Sequence, residues 1–102
     1  MTQEETTIRV RIEGRVQGVW YRGWTVKQAE QLSFSGWVRN RSDGSVEALF
    51  RGPESSVRDI IEACHKGPPL AKVTRVLQIP PGDQDGDDAV VVPGIFRQLP
   101  TL

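Results

Sequence analysis

The stretch FSGWVRNRSDGSVEALF, residues 34–50, contains the clearest structural signal in the chain. Asp43-Gly44 tolerates the positive φ angles that a tight hairpin turn requires. Apolar side chains alternate along the second half of the stretch, as they do in a half-buried strand: Val46, Ala48 and Phe50. The stretch therefore predicts two antiparallel strands, over residues 34–40 and 46–51, joined by a short turn.

The residues before this hairpin predict a strand and then a helix. Three apolar side chains alternate with charged ones: Ile8, Val10 and Ile12. Gly14 ends this strand in our interpretation. Helix formers dominate residues 21–32, which predicts a helix with a mixed, partly apolar face.

The residues after the hairpin predict a second helix and a further strand. Gly52-Pro53-Glu54 opens the helix, with Pro53 in its first turn and Glu54 near the positive end of its dipole. An apolar stripe follows at helical spacing: Val57, Ile60, Ile61 and Cys64. Residues 73–79 then predict a strand. Within it Val73, Leu77 and Ile79 share one alternation, and Val76 departs from it as a bulge would cause.

The order β-α-β-β-α-β predicts an α+β fold, a ferredoxin-like two-layer sandwich with an antiparallel sheet and two helices on one face. The 102 residues suit a single domain, 1–102, with a polar N-terminal tail over 1–7. Residues 80–102 form an atypical end: a loop rich in Pro, Gly and Asp, then a last strand within 89–92 or 95–99. We expect this end to affect stability more than chemistry.

Composition limits the partners of the protein. Thirteen basic and thirteen acidic residues give a net charge of zero, so there is no broad electrostatic footprint for nucleic acid or an anionic membrane. The polar N-terminus lacks the apolar region of a secretory signal, and no apolar run reaches the roughly 20 residues of a membrane helix. A single cysteine, Cys64, forms no internal disulfide. These observations predict a cytoplasmic protein.

The loop between the first strand and the first helix is a candidate anion site. Backbone N–H groups at a helix N-terminus point outward unpaired, and together with the helix dipole they attract negative charge. Gly18 allows close approach of the backbone, and Arg22 in the first helical turn could bind two oxygens of the same anion. On this physics alone, a turn with one glycine and a solvated arginine is the commoner interpretation.

Two motifs change that balance. GRVQGVWYR, residues 14–22, closely resembles the acylphosphatase signature G-x-V-Q-G-V-x-[FY]-R. GWVRN, residues 36–40, followed by DGSVE, residues 43–47, resembles the second signature of that family. The resemblance extends from about residue 8 to residue 79. It implies the same sandwich fold and the hydrolysis of a carboxyl-phosphate anhydride to a carboxylate and inorganic phosphate.

The resemblance also implies roles for individual residues. Arg22 would hold the phosphate and Asn40 would orient the attacking water. The backbone amides of one loop would wrap the phosphate oxygens: Arg15, Val16, Gln17, Gly18, Val19, Trp20 and Tyr21. No metal or cofactor is implied, the proton of the water would pass to the phosphate of the substrate, and the enzyme would be a monomer. Members commonly have Gly where this chain has Ser33, at which a positive φ would cost roughly 1 kcal/mol more.

Other interpretations remain open beside the enzyme. One is a binding module that senses phosphate or carbamoyl phosphate. Another is an RNA-binding domain of the same element order, which is disfavoured by the neutral charge and by the lack of that module's pattern of aromatic residues on the sheet. Without the resemblance, Asn40 would cap the hairpin turn. Trp20, Trp24 and Trp37 are interpreted as packing residues and Cys64 as a small buried hydrophobe. The acidic run 83–88 is interpreted as a solvated loop and not as a calcium site.

Overall fold

The structure, a computed structural model, describes residues 4–79 and 91–101. Within these ranges seven elements follow one another: β1 (Glu5–Arg15), α1 (Tyr21–Gln31), β2 (Ser35–Asn40), β3 (Val46–Pro53), α2 (Glu54–Cys64), β4 (Lys72–Ile79) and β5 (Phe96–Gln98). The predicted β-α-β-β-α-β order is confirmed. The loop 80–88, its acidic run and the start of the 89–92 strand candidate lie outside the described residues.

The five strands form one sheet in the order β4-β1-β3-β2-β5. β1 pairs antiparallel with both β3 and β4, and β2 pairs antiparallel with β3. β5, however, runs parallel to β2, with Val38 opposite Gln98. The predicted antiparallel sheet is therefore correct for four strands and wrong for the fifth. The cause is topological. β4 runs antiparallel to β2, so β4 ends at the same end of the sheet at which β2 begins. A strand that starts at this end and lies beside β2 runs in the same direction as β2.

The predicted hairpin is confirmed, and local hydrogen bonds close its turn. β2 and β3 pair from Ser35 opposite Arg51 to Asn40 opposite Val46. The Arg41 amide donates to the Ser45 carbonyl oxygen at 2.9 Å, and the Ser45 amide and hydroxyl both donate to Asp43 Oδ1. Gly44 has a φ of 96°, a conformation that favours glycine.

Both helices pack on one face of the sheet, where their buried side chains meet those of the strands. α1 buries Tyr21, Thr25 and Ala29, and α2 buries Val57, Ile60 and Cys64. The strands add alternate residues to the same core: Val10, Ile12, Val38, Val46, Ala48 and Phe50. The interpretation of Cys64 as a buried hydrophobe is confirmed, since its side chain is fully buried.

Several boundaries differ from those expected. β1 begins at Glu5, since residues 5–7 pair with β3 and do not form a free tail, and it continues through Gly14 to Arg15. Pro53 ends β3 and precedes α2 as its N-cap, with a ψ of 139°. It was predicted inside the first helical turn, but this extended ψ and its pairing with Glu5 keep it in the strand.

β4 contains the predicted bulge, although its buried side differs from the one expected. Glu13 lies opposite Arg75 whereas Gly14 lies opposite Val73, so Thr74 is the extra residue. The extra residue reverses the alternation, which places both Val73 and Val76 against the core and leaves Leu77 37% exposed. The expectation that Val73 and Leu77 share one face is therefore wrong.

Candidate active site

A cavity of about 150 Å³ lies at the N-terminal end of α1. An engineered apolar cavity of roughly this volume holds a benzene molecule, so the space suits a small ligand. Six of its lining residues were predicted from the sequence: Val16, Gly18, Trp20, Tyr21, Arg22 and Asn40. Three other predicted loop residues, Arg15, Gln17 and Val19, do not line it. Two lining residues, Gly23 and Gln98, were not predicted.

The loop that enters α1 adopts left-handed backbone at two positions. Gly18 has a φ of 75° and Trp20 a φ of 68°. Trp20 is the N-cap of α1, and its carbonyl oxygen accepts the first helical hydrogen bond, from the Trp24 amide at 3.0 Å. The side chain of the N-cap residue Trp20 makes no capping hydrogen bond with the described residues, and none of the residues in the first turn of α1 is acidic. The N–H groups and the positive end of the dipole are thus available to an anion.

Gln17 ties this loop to the β2–β3 turn. Its Nε2 donates to the carbonyl oxygens of Arg41, at 2.8 Å, and of Ser45, at 2.9 Å. The loop is therefore held beside the end of β2, where Asn40 lies. The side chain of Gln17 acts on the shape of the cavity by fixing the loop, since it is not among the groups that line the cavity.

Arg22 lies half-buried in the first turn of α1, with its side chain lining the cavity. Its guanidinium group makes no hydrogen bond or ion pair with any other residue of 4–79 or 91–101. Arg9 and Arg41, by contrast, are both bound to Glu47. A guanidinium group has five N–H donors and no acceptor, so that of Arg22 is suited to an incoming anion.

Asn40 is the last residue of β2 and lies on its helix-facing side, because Val38, two residues earlier, belongs to the core. Asn40 is one of the residues that line the cavity. The side-chain hydrogen bonds that hold the β2–β3 turn come from Asp43, Ser45 and Gln17. In the part of the chain that the structure describes, the Asn40 amide takes no part in them, so the turn-capping interpretation of Asn40 has no support.

A buried ionic cluster on the opposite face of the sheet holds the strand end that presents Asn40. Glu47, fully buried, accepts from Arg39 Nε at 3.0 Å, from Arg41 Nη1 at 2.9 Å and from Arg9. Burial, the largest influence, would raise the pKa of Glu47. Hydrogen bonds from Arg41 and Arg9, with the charges of Arg9 and Arg39, nevertheless keep this pKa below its usual value. Two of the three arginines, Arg39 and Arg41, flank Asn40 in sequence.

Gln98 reaches the cavity through β5. The Leu99 amide donates to the Val38 carbonyl oxygen at 2.9 Å, which fixes β5 beside β2. Phe96 is buried in the core, and Gln98 follows on the same side of the strand, next to the row that ends in Asn40. The atypical end of the chain thus contributes one residue to the cavity, and the expectation that it affects stability more than chemistry stays a prediction.

Sequence reasoning missed both Gly23 and Gln98 for identifiable reasons. Gln98 lies two residues after Phe96, so its side chain is predicted to lie on the same face of the strand as that of Phe96. This alternation points to the cavity only once β5 is known to pair with β2. Gly23 is a glycine inside a helix, which costs about 0.5–1 kcal/mol relative to alanine and so points to a packing reason.

Tyr21 lines the cavity, and its hydroxyl is engaged by the end of α2. The hydroxyl donates to the Cys64 carbonyl oxygen at 2.6 Å, which joins α1 to the end of α2. Burial is the main cause that raises the pKa of Tyr21, and it raises the pKa of the Cys64 thiol to about 12. Both groups are thus protonated near neutral pH.

Over residues 4–79 and 91–101, no three His, Cys, Asp or Glu side chains gather in the manner of metal ligands. No helix in these same ranges has both the length and the apolar character needed to cross a membrane.

The fold and the cavity define a small α+β sandwich with a cavity at a strand-to-helix turn. The acylphosphatase family model matches residues 8–88. An acylphosphatase of Rhodospirillum rubrum is 57% identical over 98 residues, which cover 94% of this chain and 98% of that protein. The chain belongs to the acylphosphatase family. The sequence-based prediction of this family and enzyme class is confirmed.

Solved structures agree with this assignment. An acylphosphatase from Coxiella burnetii superimposes with a TM-score of 0.78 at 37% identity, over 97% of this chain and 100% of that one. An acylphosphatase crystal structure from Bacillus subtilis gives a TM-score of 0.77 at 32% identity, over 94% and 99% of the two chains. These neighbours confirm the α+β ferredoxin-like sandwich.

Proposed function

We propose that the cavity is the site of acyl phosphate hydrolysis, with Arg22 holding the phosphate and Asn40 directing the attacking water. One observation supports this most strongly. Arg22 and Asn40 come from different elements and line the same cavity at the uncapped N-terminus of α1, yet neither side chain has a hydrogen-bond partner within the described ranges. Polar groups left available in a small cavity suit a polar ligand.

In this proposal the phosphate lies on the half-buried side of the cavity, which we call its floor and where Arg22 and Asn40 lie. Backbone N–H groups of the loop residues that line the cavity, Val16, Gly18, Trp20 and Tyr21, receive its oxygens together with the positive end of the α1 dipole. The Arg22 guanidinium binds two of these oxygens. Charge on the transferred phosphoryl oxygens is then stabilised by donors that are already in place, which is the main source of catalysis in phosphoryl transfer.

The Asn40 amide supplies both an acceptor and two donors, so it can hold a water in line with the scissile P–O bond. The water oxygen forms a new P–O bond, and the bond from phosphorus to the acyl oxygen breaks. The acyl group leaves as a carboxylate, a stable anion that needs no general acid. Tyr21 is unsuited to act as an acid, because its hydroxyl donates to Cys64 and its pKa is raised by burial.

We further propose that the water loses its proton to the phosphate of the substrate. None of the described residues that line the cavity is Asp, Glu or His. The pH profile of kcat should therefore show no protein group titrating near neutral pH. A bell-shaped profile with limbs near pH 6–8 would contradict this step.

The remaining predictions about the protein belong to the same proposal. It acts on small acyl phosphates as a monomer, without metal or cofactor, and releases inorganic phosphate. A cytoplasmic location suits the buried free thiol of Cys64.

The test is hydrolysis of benzoyl phosphate with a chelator present. Compared with wild type, Arg22→Ala should lower kcat/KM by roughly 10²–10³-fold, and Asn40→Ala should lower kcat by about 10²-fold. Lys27→Ala is the matched control, since Lys27 is an exposed cation on α1 outside the cavity. Full activity of Asn40→Ala would refute the role of Asn40 in directing water. Loss of wild-type activity on adding the chelator would refute metal independence, and phosphate binding without turnover would favour a sensor of phosphate.

A further inference from the structure

The cavity has a half-buried floor and an exposed mouth. Arg22 and Asn40 are half-buried, whereas Gly18, Trp20 and Gln98 are exposed. Since glycine has no side chain, the exposed side chains among the described lining residues are those of Trp20 and Gln98. If the phosphate occupies the floor, as in the proposed function on which this inference rests, the acyl group bonded to it extends toward these two side chains.

Trp20 is fixed at this mouth by its backbone and by a contact with Gly23. Its side chain is 61% exposed, and its φ of 68° is a conformation that bulky residues rarely adopt. A Cβ atom placed on Gly23 would lie 2.1 Å from Trp20 Nε1 and 2.7 Å from Trp20 Cδ1. The indole therefore rests directly on the bare backbone of Gly23, which explains a glycine in the first turn of α1.

An exposed and positioned indole presents a flat apolar face. A second aromatic ring stacks favourably on such a face, and the free energy gained exceeds what the buried area alone contributes. The other mouth side chain, Gln98, is an uncharged amide. Neither side chain attracts an ionised acyl group, so the mouth suits a neutral, planar one.

We infer that Trp20 is a specificity-determining residue, and that the acyl subsite formed by Trp20 and Gln98 favours aromatic acyl phosphates over aliphatic ones. Gly23 acts through Trp20, as a positioning residue that seats the ring. The residues of the floor carry out the hydrolysis, and the residues of the mouth determine which acyl groups bind well.

The test compares kcat/KM for benzoyl phosphate with kcat/KM for acetyl phosphate. The two substrates differ in intrinsic reactivity, so the informative quantity is the change in their ratio between variants. Trp20→Ala keeps a Cβ in the left-handed conformation but removes the ring, and it should lower the ratio about tenfold. Trp20→Phe retains an aromatic face and should restore the ratio to within about threefold of wild type.

Gly23→Ala provides an independent test, because it leaves Trp20 in the chain and displaces its ring. Alanine is the better helix former, so the variant should fold, which near-ultraviolet circular dichroism and the melting temperature would verify. We expect the ratio to fall in this variant as well. If Trp20 only packs, Trp20→Ala and Gly23→Ala will change both substrates by the same factor, and the inference is overturned while hydrolysis stands. A wild-type protein that hydrolyses neither substrate would overturn the proposed function itself.

Discussion

Removing the charge of Glu47 should destabilise the protein far more than removing that of an exposed partner. Glu47 is fully buried and accepts hydrogen bonds from Arg9, Arg39 and Arg41. In Glu47→Gln, three guanidinium groups lose the carboxylate between them while remaining in place. Breaking a buried ion pair by removing one partner costs about 3–5 kcal/mol. That is a large fraction of the roughly 5–15 kcal/mol by which a domain is stable.

The assay is equilibrium unfolding in urea, followed by tryptophan fluorescence. Trp37 reports on the cluster directly, because the Arg39 guanidinium lies 4.7 Å from the centre of its ring. With a slope of about 1–2 kcal/mol per molar urea, a loss of 3 kcal/mol lowers the unfolding midpoint by about 2 M. Glu13→Gln is the matched control. Its partner Arg75 is at 2.8 Å, but both side chains are partly exposed, so we expect a change below about 1 kcal/mol.

Wild type and Glu47→Gln should also differ in how their stability depends on pH in acid. The pKa of Glu47 is lowered in the folded protein, so its contribution to the free energy of unfolding is present above the unfolded value of about 4.3. It is lost as the pH falls through the lower folded value. Wild type should lose stability below about pH 4.5 more steeply than Glu47→Gln does. Equal losses of stability in Glu47→Gln and Glu13→Gln at neutral pH would refute the reasoning from burial.

Three further substitutions test particular conformations and contacts. Ser33 has a φ of 57°, so Ser33→Gly should stabilise the protein by up to about 1 kcal/mol in thermal unfolding, whereas Ser33→Ala should not. An equal gain of stability in Ser33→Ala would contradict this conformational explanation. In Gly14→Ala the new Cβ would lie 2.2 Å from the Lys72 carbonyl oxygen, at a φ of 124°. We therefore expect the free energy of unfolding to fall by about 3 kcal/mol or more. A variant as stable as wild type would contradict the close approach of β1 and β4 at this residue. Gln98→Ala should lower kcat/KM for benzoyl phosphate about 2–10-fold, with the free energy of unfolding within about 0.5 kcal/mol of wild type. A loss of stability without a loss of activity would instead bear out the expectation that the last strand affects stability more than chemistry.

Local sequence predicted those elements whose cause is local. The β2–β3 hairpin follows from Asp43-Gly44, and the structure adds only the hydrogen bonds of Asp43 that close it. The turn at Ser33 is similar. The amides of Ser33 and Phe34 donate to the carbonyls of Glu30 and Ala29, which is the usual end of a helix at a left-handed residue. Because members of the family commonly have Gly at this position, the resemblance indicated a positive φ, and Ser33 has one.

Features that depend on distant pairing were beyond the sequence. The sequence of residues 95–99 predicts a strand, but it indicates neither that this strand pairs with β2 nor that the two strands run parallel. For the same reason Gln98 could not be assigned to the cavity. In β4, the bulge was predicted but the faces of Val76 and Leu77 were not, since they depend on which residue of β1 each β4 residue meets.

The ionic cluster was hidden for a related reason. Arg9, Arg39 and Arg41 look like ordinary surface charges on alternating strands, and only the register of β1, β2 and β3 brings them to Glu47. Arg22 and Asn40 were selected by resemblance to a family, because a loop with one glycine and one arginine is a weak signal by itself. Their meeting at one cavity supports that selection.

The most direct test of the central claim separates phosphate binding from water activation. Inorganic phosphate is measured as a competitive inhibitor of benzoyl phosphate hydrolysis, with its inhibition constant determined for wild type, Arg22→Lys and Asn40→Ala. We expect Asn40→Ala to keep the inhibition constant within about threefold while kcat falls about 10²-fold, and Arg22→Lys to raise the constant about tenfold or more. Asn40→Ala that loses phosphate affinity as Arg22→Lys does, or that retains its kcat, would contradict the division of roles between the two residues.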